Sequence, residues 1–394
     1  MYLPPYVQTA LNILKEHGAQ GYAVGGCVRD ALLGLTPHDY DLAVNAPPAV
    51  TEACFTGYKV IETGLKHGTV TVVLEGHNLE ITSFRTEGAY TDGRRPDSVY
   101  FTSDPAEDLS RRDFTVNAMA YAPETGLIDL FGGREDLKNK VLRCVGVPEQ
   151  RFNEDALRIL RALRFAAALG FAIEEHTAAA VHACAGNLRH VSAERIFAEL
   201  KGLMKGVYAA PVLREYRDVI DVCVPALAAL PAEDYASAVE TAGALRDETL
   251  SFAALLLPLG AETAEEACRA LKTDNKYRSI VKFCIEHLHT AFPTPGFARR
   301  FLGAWDRDKC MQLLRFRAAY GEETAILEAA CGEKDPPPGT LAQLKIGGRE
   351  LAALGVTGHA IGETLNALLA MASEGEIAND PAALLEAART LIQQ

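Results

Sequence analysis

Two aspartates one residue apart, Asp39 and Asp41, are the first residues in the chain whose spacing suggests chemistry. In a strand, side chains two apart share a face, so both carboxylates would point one way while Tyr40 and Leu42 point into a core. Side-by-side carboxylates repel unless a cation lies between them. Mg²⁺ suits that place, because it takes hard oxygen ligands and shares its other positions with phosphates and water. An isolated Asp-x-Asp also occurs as a plain pair of surface acids near a turn. The preceding residues strengthen the chemical reading. "VGG", ending at Gly26, closes a strand and opens a helix. Glycines let a phosphate approach the backbone, and N–H groups at a helix start point toward an anion. Arg29, one turn into that helix, adds a charge-assisted contact. Gly25, Gly26, Arg29, Asp39 and Asp41 thus read in order as a phosphate cradle followed by metal ligands.

A second group lies in "NEDALRILRALRF". At about 100° per residue, Ala156, Ile159, Leu160, Ala162 and Leu163 fall in one arc, and Glu154, Asp155, Arg158, Arg161 and Arg164 in the opposite one. One face packs; the other presents an acid with a row of arginines. A solvated helix with Asp155 paired to Arg158 would show the same pattern. "SRRDFTVNAMAY" reads as a further helix, carrying Arg111, Arg112, Asp113 and Asn117. Glu80, in "LEITSF", would share a face with the two aspartates if its strand is their neighbour; otherwise it is an ordinary edge-strand glutamate.

The elements that position these groups are a mixed head and a helical remainder. "PPYVQTALNILKEHG" reads as an opening helix, and "GYAVGG", "DYDLAV", "KVIET", "GTVTVVLEG" and "LEITSF" as strands. "LEGHNLE" reads as a hairpin connection and "RTEGAYTDGRRPDSV" as a long loop. From about residue 141 strands fade, and the rest is rich in Ala, Leu and Glu. "KDPPPGT", Lys334 to Thr340, is the clearest linker.

With 394 residues, two or more domains are expected. The net charge of −13 argues against indiscriminate nucleic-acid binding. Yet Arg94, Arg95, Arg111, Arg112, Arg151, Arg158, Arg161 and Arg164 crowd one stretch, which suggests a site for a phosphorylated ligand. The nine cysteines include no C-x-x-C pair, so neither a disulfide framework nor zinc is expected, and a cytoplasmic setting fits. No apolar run is long enough to span a membrane, and the N-terminus lacks the pattern of a signal peptide. His67, His77, His176 and Trp305 read as structural. The sequence carries no signal for oligomeric state.

Taken in order, "VGGCVRDALLGLTPHDYDLAV", "TGLKHGTVTVV", "LEITSFR", "DGRRPD", "RRDFTVNAMAY" and "NEDALRILRALRFAAALGF" resemble the class II tRNA nucleotidyltransferases, which comprise the CCA-adding enzymes and their bacterial poly(A) polymerase relatives. "IGGRELAALGVTGHAIGETLNALLAMASEGEIAN" is similar to the family's C-terminal tail. The resemblance implies an α+β nucleotidyltransferase head, a small mixed sheet with helices, over residues 1–140. An all-α neck would follow over 141–205, a body over 206–335 and a tRNA-binding tail over 336–394.

It further implies addition of CCA to a tRNA 3′ end from CTP and ATP, without a nucleic-acid template and with Mg²⁺. Asp39 and Asp41 would bind metal, with Glu80 as a third catalytic carboxylate. Arg112 and Asp113 would face the nucleotide, and Asn117 would support the ribose. Asp155 and Arg158 would read the base, while Arg161 and Arg164 stack on it or reach phosphates. The chemistry is coherent: cytosine and adenine each present an amino donor beside a ring-nitrogen acceptor, which a carboxylate and a guanidinium complement. Uracil and guanine present the reverse. "TDGRRPDSV" resembles the family's flexible loop, which favours full CCA addition or A addition. Specialists adding only A or only CC, or a poly(A) polymerase, stay open. A non-catalytic tRNA-binding protein on the same scaffold would be expected to lack an acid at position 39 or 41.

Overall fold

The computed structural model describes residues 1–61, 68–88 and 98–393, which form two compact units, Met1–Ala228 and Ala229–Gln394. In the first, helix α1 (Pro5–Glu16) starts on its prolines, packs Val7, Ala10, Leu11 and Leu14 inward, and leads into β1 (Gly21–Val24). Then come α2 (Gly26–Leu32), β2 (Asp41–Val44), α3 (Pro48–Cys54), β3 (Lys59–Ile61), β4 (Thr69–Leu74) and β5 (His77–Ser83). Val70, Val72 and Leu74 of β4 are buried and alternate with half-buried neighbours, the period expected of a sheet with one face covered. The β4–β5 turn holds Glu75 at φ 52° and Gly76 at φ 82°, the left-handed pair a tight hairpin requires.

Strands β6 (Arg85–Glu87) and β7 (Val99–Phe101) pair separately. They precede α4 (Pro105–Ser110), β8 (Met119–Ala122), β9 (Gly126–Asp129) and α5 (Gly133–Asn139). The main sheet runs β3-β4-β5-β2-β1-β8-β9, antiparallel throughout except for the parallel β2–β5 pair. Its register sets one row across four strands: Glu80 faces Asp41, Asp41 faces Val24, and Val24 faces Ala120. Gly25, just past Val24, is thereby brought beside Asp41.

After β10 (Val141–Leu142) the unit continues with α6 (Pro148–Glu154), α7 (Leu157–Leu169), β11 (Ala172–Ile173), α8 (Glu175–Cys184) and α9 (Ala193–Met204). Strands therefore persist past residue 141, as the short parallel pair β10–β11, where the sequence suggested helices alone. The second unit is helical among its described residues, from Ala232–Leu245 to Pro381–Ile392. It holds two apolar clusters, one around Phe283, Leu313 and Leu327 and one around Leu351, Leu368 and Leu384.

Two local expectations are corrected. "SRRDFTVNAMAY" is not a helix: α4 ends at Ser110, Phe114 lies extended, Thr115–Asn117 make one 3-10 turn, and β8 follows. "NEDALRILRALRF" is not one helix either. It breaks at Asp155, whose backbone is extended at φ −145° and ψ 103°.

Candidate active site

The glycine turn is the point from which the site is built. Gly25 has φ 74° and ψ −128°, a conformation open in practice to glycine alone. Its N–H donates to the Met119 carbonyl at 3.2 Å, tying the turn to β8. A Cβ there would lie 2.8 Å from Nη1 of Arg112, so the glycine lets that guanidinium lie against the backbone. Gly26 opens α2, and Arg29 reaches back from it, donating from Nη1 to Asn117 Oδ1 and from Nε to Asp30 Oδ1, both at 2.8 Å.

Asp39 precedes β2 and does not belong to it, so the expected "DYDLAV" strand starts only at Asp41. The alternation nevertheless holds, because Tyr40 and Leu42 are buried while Asp39 and Asp41 are exposed. His38 Nδ1 lies 3.1 Å from Asp39 Oδ2. The Asp41 carboxyl is held above the usual carboxylate range, first by loss of water at the cleft, then by the charge of Glu80, with Asp39 adding to it and Arg112 opposing. That surplus of negative charge on hard oxygen donors fits a divalent cation such as Mg²⁺. Among the described residues, no three His, Cys, Asp or Glu side chains converge as a ready-made metal cage.

Asn117 and Asp113 form the hub. Asp113 Oδ1 accepts from the Phe114 N–H (2.8 Å) and from Asn117 Nδ2 (3.3 Å), while Oδ2 accepts from Arg161 Nε (2.9 Å) and Nη2 (2.6 Å). Burial pushes the Asp113 carboxyl up, but the Arg161 charge and these hydrogen bonds outweigh it and hold the group below the ordinary range. Arg161 is raised in turn, chiefly by Asp113. Arg112 donates to Asp108 Oδ2 (3.3 Å) and to the Asn117 carbonyl (3.5 Å). Asp108, only 1% exposed, also takes both Nε and Nη2 of Arg111.

The break between α6 and α7 places Asp155 and Arg158. Asp155 Oδ1 accepts from the Leu157 N–H at 3.1 Å, which begins α7 anew, and Oδ2 accepts from Arg195 Nη2 at 2.7 Å. Arg158 is buried and pairs with Glu154, with further bonds to the carbonyls of Arg151 (3.1 Å) and Arg111 (3.4 Å). The helical pairing of Asp155 with Arg158 is therefore replaced by two crossed pairs, Asp155–Arg195 and Arg158–Glu154. Arg164 Nε donates to Glu199 at 2.6 Å. The guanidiniums of Arg29, Arg161 and Arg164 all lie over the Phe165 ring, at 5.2, 5.5 and 4.4 Å from its centroid.

Among the described site residues singled out from the sequence, all but Glu80, Arg151 and Glu154 line one cleft of about 820 Å³. That volume lies within the span usual for small-molecule sites. Glu80 sits beside the cleft, opposite Asp41 in the parallel β2–β5 pair. Arg94, Arg95, His67 and the "TDGRRPD" loop lie outside the described residues. Sequence reasoning missed Asp108, Phe165 and Arg195. Phe165 is assigned to neither arc of its helix, and nothing in "SAERIF" marks Arg195.

Residues 21–143 match the family described as "Poly A polymerase head domain", and residues 170–228 match "Probable RNA and SrmB- binding site of polymerase A". The chain is 35% identical to the CCA-adding enzyme of Limosilactobacillus fermentum over 97% of its own length and 96% of that protein's. It is 50% identical to the CCA-adding enzyme of Leuconostoc citreum, where the match spans 52% of this chain and about half (50%) of that enzyme. The crystal structure of the Bacillus stearothermophilus CCA-adding enzyme in complex with CTP superposes with a TM-score of 0.82 at 32% identity, covering 99% of this chain and 100% of that one.

Proposed function

The chain belongs to the family of CCA-adding enzymes, and we propose that its cleft adds C and A residues to the 3′ end of tRNA. The reaction is nucleotidyl transfer. The primer 3′-hydroxyl gives up its proton to water, its oxygen bonds to the α-phosphorus of CTP or ATP, the bond from that phosphorus to the oxygen bridging to the β-phosphate breaks, and pyrophosphate leaves. The observation that carries this reading is the convergence of the twin acids, the glycine turn and the arginine-bearing α7 on one cleft.

The Gly25–Gly26 turn and Arg29 hold the triphosphate, with Arg112 against the turn and the Asp113–Asn117 hub keeping the arginines in place. Asp155 accepts from the exocyclic amino group of C or A, and Arg158, with five N–H donors, gives one to the ring nitrogen. Uracil and guanine set acceptor against acceptor and donor against donor there, a mismatch that discriminates strongly in a water-poor site. Asp39 and Asp41 would hold Mg²⁺, which would supply activation of the nucleophile and neutralisation of the departing charge. Glu80 reinforces the negative potential at Asp41. The stretch matching an RNA-binding description, and the helices that follow it, grip tRNA by shape and backbone, since A-form RNA shows little sequence to a protein. Nine free cysteines fit a reducing, cytoplasmic setting.

The test is product analysis with tRNAs ending before the first C, after CC and after CCA, each offered the four NTPs with Mg²⁺. Full CCA addition that stops at the complete end is expected. Addition of A alone or CC alone assigns a specialist, and unlimited A addition assigns a poly(A) polymerase. No addition to any tRNA rejects the enzymatic reading. Asp41→Ala is expected to abolish transfer and leave thermal unfolding intact.

A further inference from the structure

Asp155 is held from two sides. The Leu157 N–H occupies Oδ1 and the Arg195 guanidinium occupies Oδ2, on different oxygens and from different helices, α7 and α9. One donor alone would leave the carboxylate free to swing about its last torsion, which is broad and weakly restricted. Two donors on two oxygens fix both the position and the plane of the group. Only about a fifth of either side chain is exposed, at 23% for Arg195 and 17% for Asp155, and both line the cleft. A carboxylate has about four acceptor directions. With two taken, the rest are fixed in direction.

We propose that Arg195 is a positioning residue for nucleotide selection: it locks the Asp155 carboxylate in the orientation that accepts an amino group and cannot swing toward a ring N–H. This inference rests on the reading of Asp155 as the base acceptor. Uracil differs from cytosine in offering N3–H where cytosine offers a bare ring nitrogen, and a carbonyl where cytosine offers an amino group. A carboxylate released from Arg195 rotates to accept from that N3–H and relieves the mismatch. Selectivity then falls, although both base-reading side chains are still present. A plain structural brace between α9 and the α6–α7 break would change stability and overall rate, but not the choice between pyrimidines.

The experiment measures kcat/KM for CTP and for UTP on a tRNA lacking its 3′ CCA, using the full chain and the variants Arg195→Ala, Arg195→Lys and Asp155→Ala. A hydrogen bond to a charged group corresponds to a CTP/UTP ratio lowered about ten- to a hundredfold in Arg195→Ala. Arg195→Lys keeps the charge and most of the stem, is expected to fold, and is expected to recover part of the ratio. If the ratio stays at the wild-type value in both Arg195 variants while Asp155→Ala collapses it, the positioning role is overturned and the base-reading assignment survives. If Asp155→Ala itself leaves the ratio unchanged, the base-reading assignment fails and this inference fails with it.

Discussion

Gly25→Ala tests whether the turn is shaped for a ligand or only for the chain. Two separate penalties follow from the structure. The backbone at φ 74° and ψ −128° disfavours any side chain, and strain of this kind costs about 1–3 kcal/mol. The added Cβ would also lie 2.8 Å from Nη1 of Arg112. The end of an arginine usually moves aside cheaply, but this one is tethered to Asp108 and to the Asn117 carbonyl. Displacing it moves a guanidinium that the proposed site sets against the triphosphate; loss of one charge-assisted contact to the nucleotide, about 1.5–3 kcal/mol at about 1.4 kcal/mol per decade, should lower kcat/KM for CTP about ten- to a hundredfold. Backbone strain alone should lower Tm by about 2–12 °C, taking about 2–4 °C per kcal/mol for a unit of this size.

Gly34→Ala is the control. It too sits at positive φ, 73°, but a Cβ there meets nothing within 4 Å. Thermal unfolding and steady-state kinetics with CTP should therefore separate the two: both variants lose stability, and only Gly25→Ala loses nucleotide use. Equal kinetic losses in both, or unchanged kinetics in Gly25→Ala, would refute the claim that the turn acts through Arg112.

Asp113→Asn should lower stability at neutral pH by about 1–3 kcal/mol, because it removes the charge-assisted bonds to a partly exposed Arg161. The folded Asp113 carboxyl lies below its ordinary value of 3.8, so its contribution is present above that pH and is lost as pH falls through the folded value; denaturation curves should converge in strong acid. Phe165→Leu removes the ring beneath three guanidiniums, at about 0.5–2 kcal/mol per cation contact, so KM for CTP and for ATP should rise together while Phe165→Tyr stays near wild type. Unequal effects on the two nucleotides would point to base contact instead. Glu80→Gln should reduce kcat far less than Asp41→Ala does, since Glu80 lies outside the cleft lining; an equal loss in single-turnover assays would place it among the reacting groups.

The parts of the fold that were legible have a period or a breaker to announce them. Alternating valines marked β4, the glycine of "LEGHNLE" marked the hairpin that turns at Gly76, and the Pro-started α1 was plain. The misread parts are those where a polar side chain takes over backbone hydrogen bonding. Asp155 carries no Pro or Gly beside it, and the surrounding residues keep a helical period, so nothing local ends the helix. Its carboxylate ends it by taking the Leu157 N–H and by being pulled toward Arg195, 40 residues further on. Asp113 does the same on a smaller scale, accepting from the Phe114 N–H and from Asn117 and so turning a helix-like segment into an extended one. Both departures fall in the proposed site, where a residue's conformation answers to partners distant in sequence.

The register of the sheet explains why the cradle and the acids, though separated in sequence by the whole of α2, need no long-range accident to meet. Val24 pairs with Asp41 across the antiparallel β1–β2 ladder, and Asp41 pairs with Glu80 across the parallel β2–β5 ladder. Because side chains alternate faces along a strand, slipping β2 by one residue would turn the Asp41 carboxylate to the face where Leu42 and Val44 are buried. Leu42, Ala43 and Val44 are all buried, so only the first position of β2 can carry a charge, and the ladders to β1 and β5 set that position beside Val24 and Glu80, next to the glycine turn.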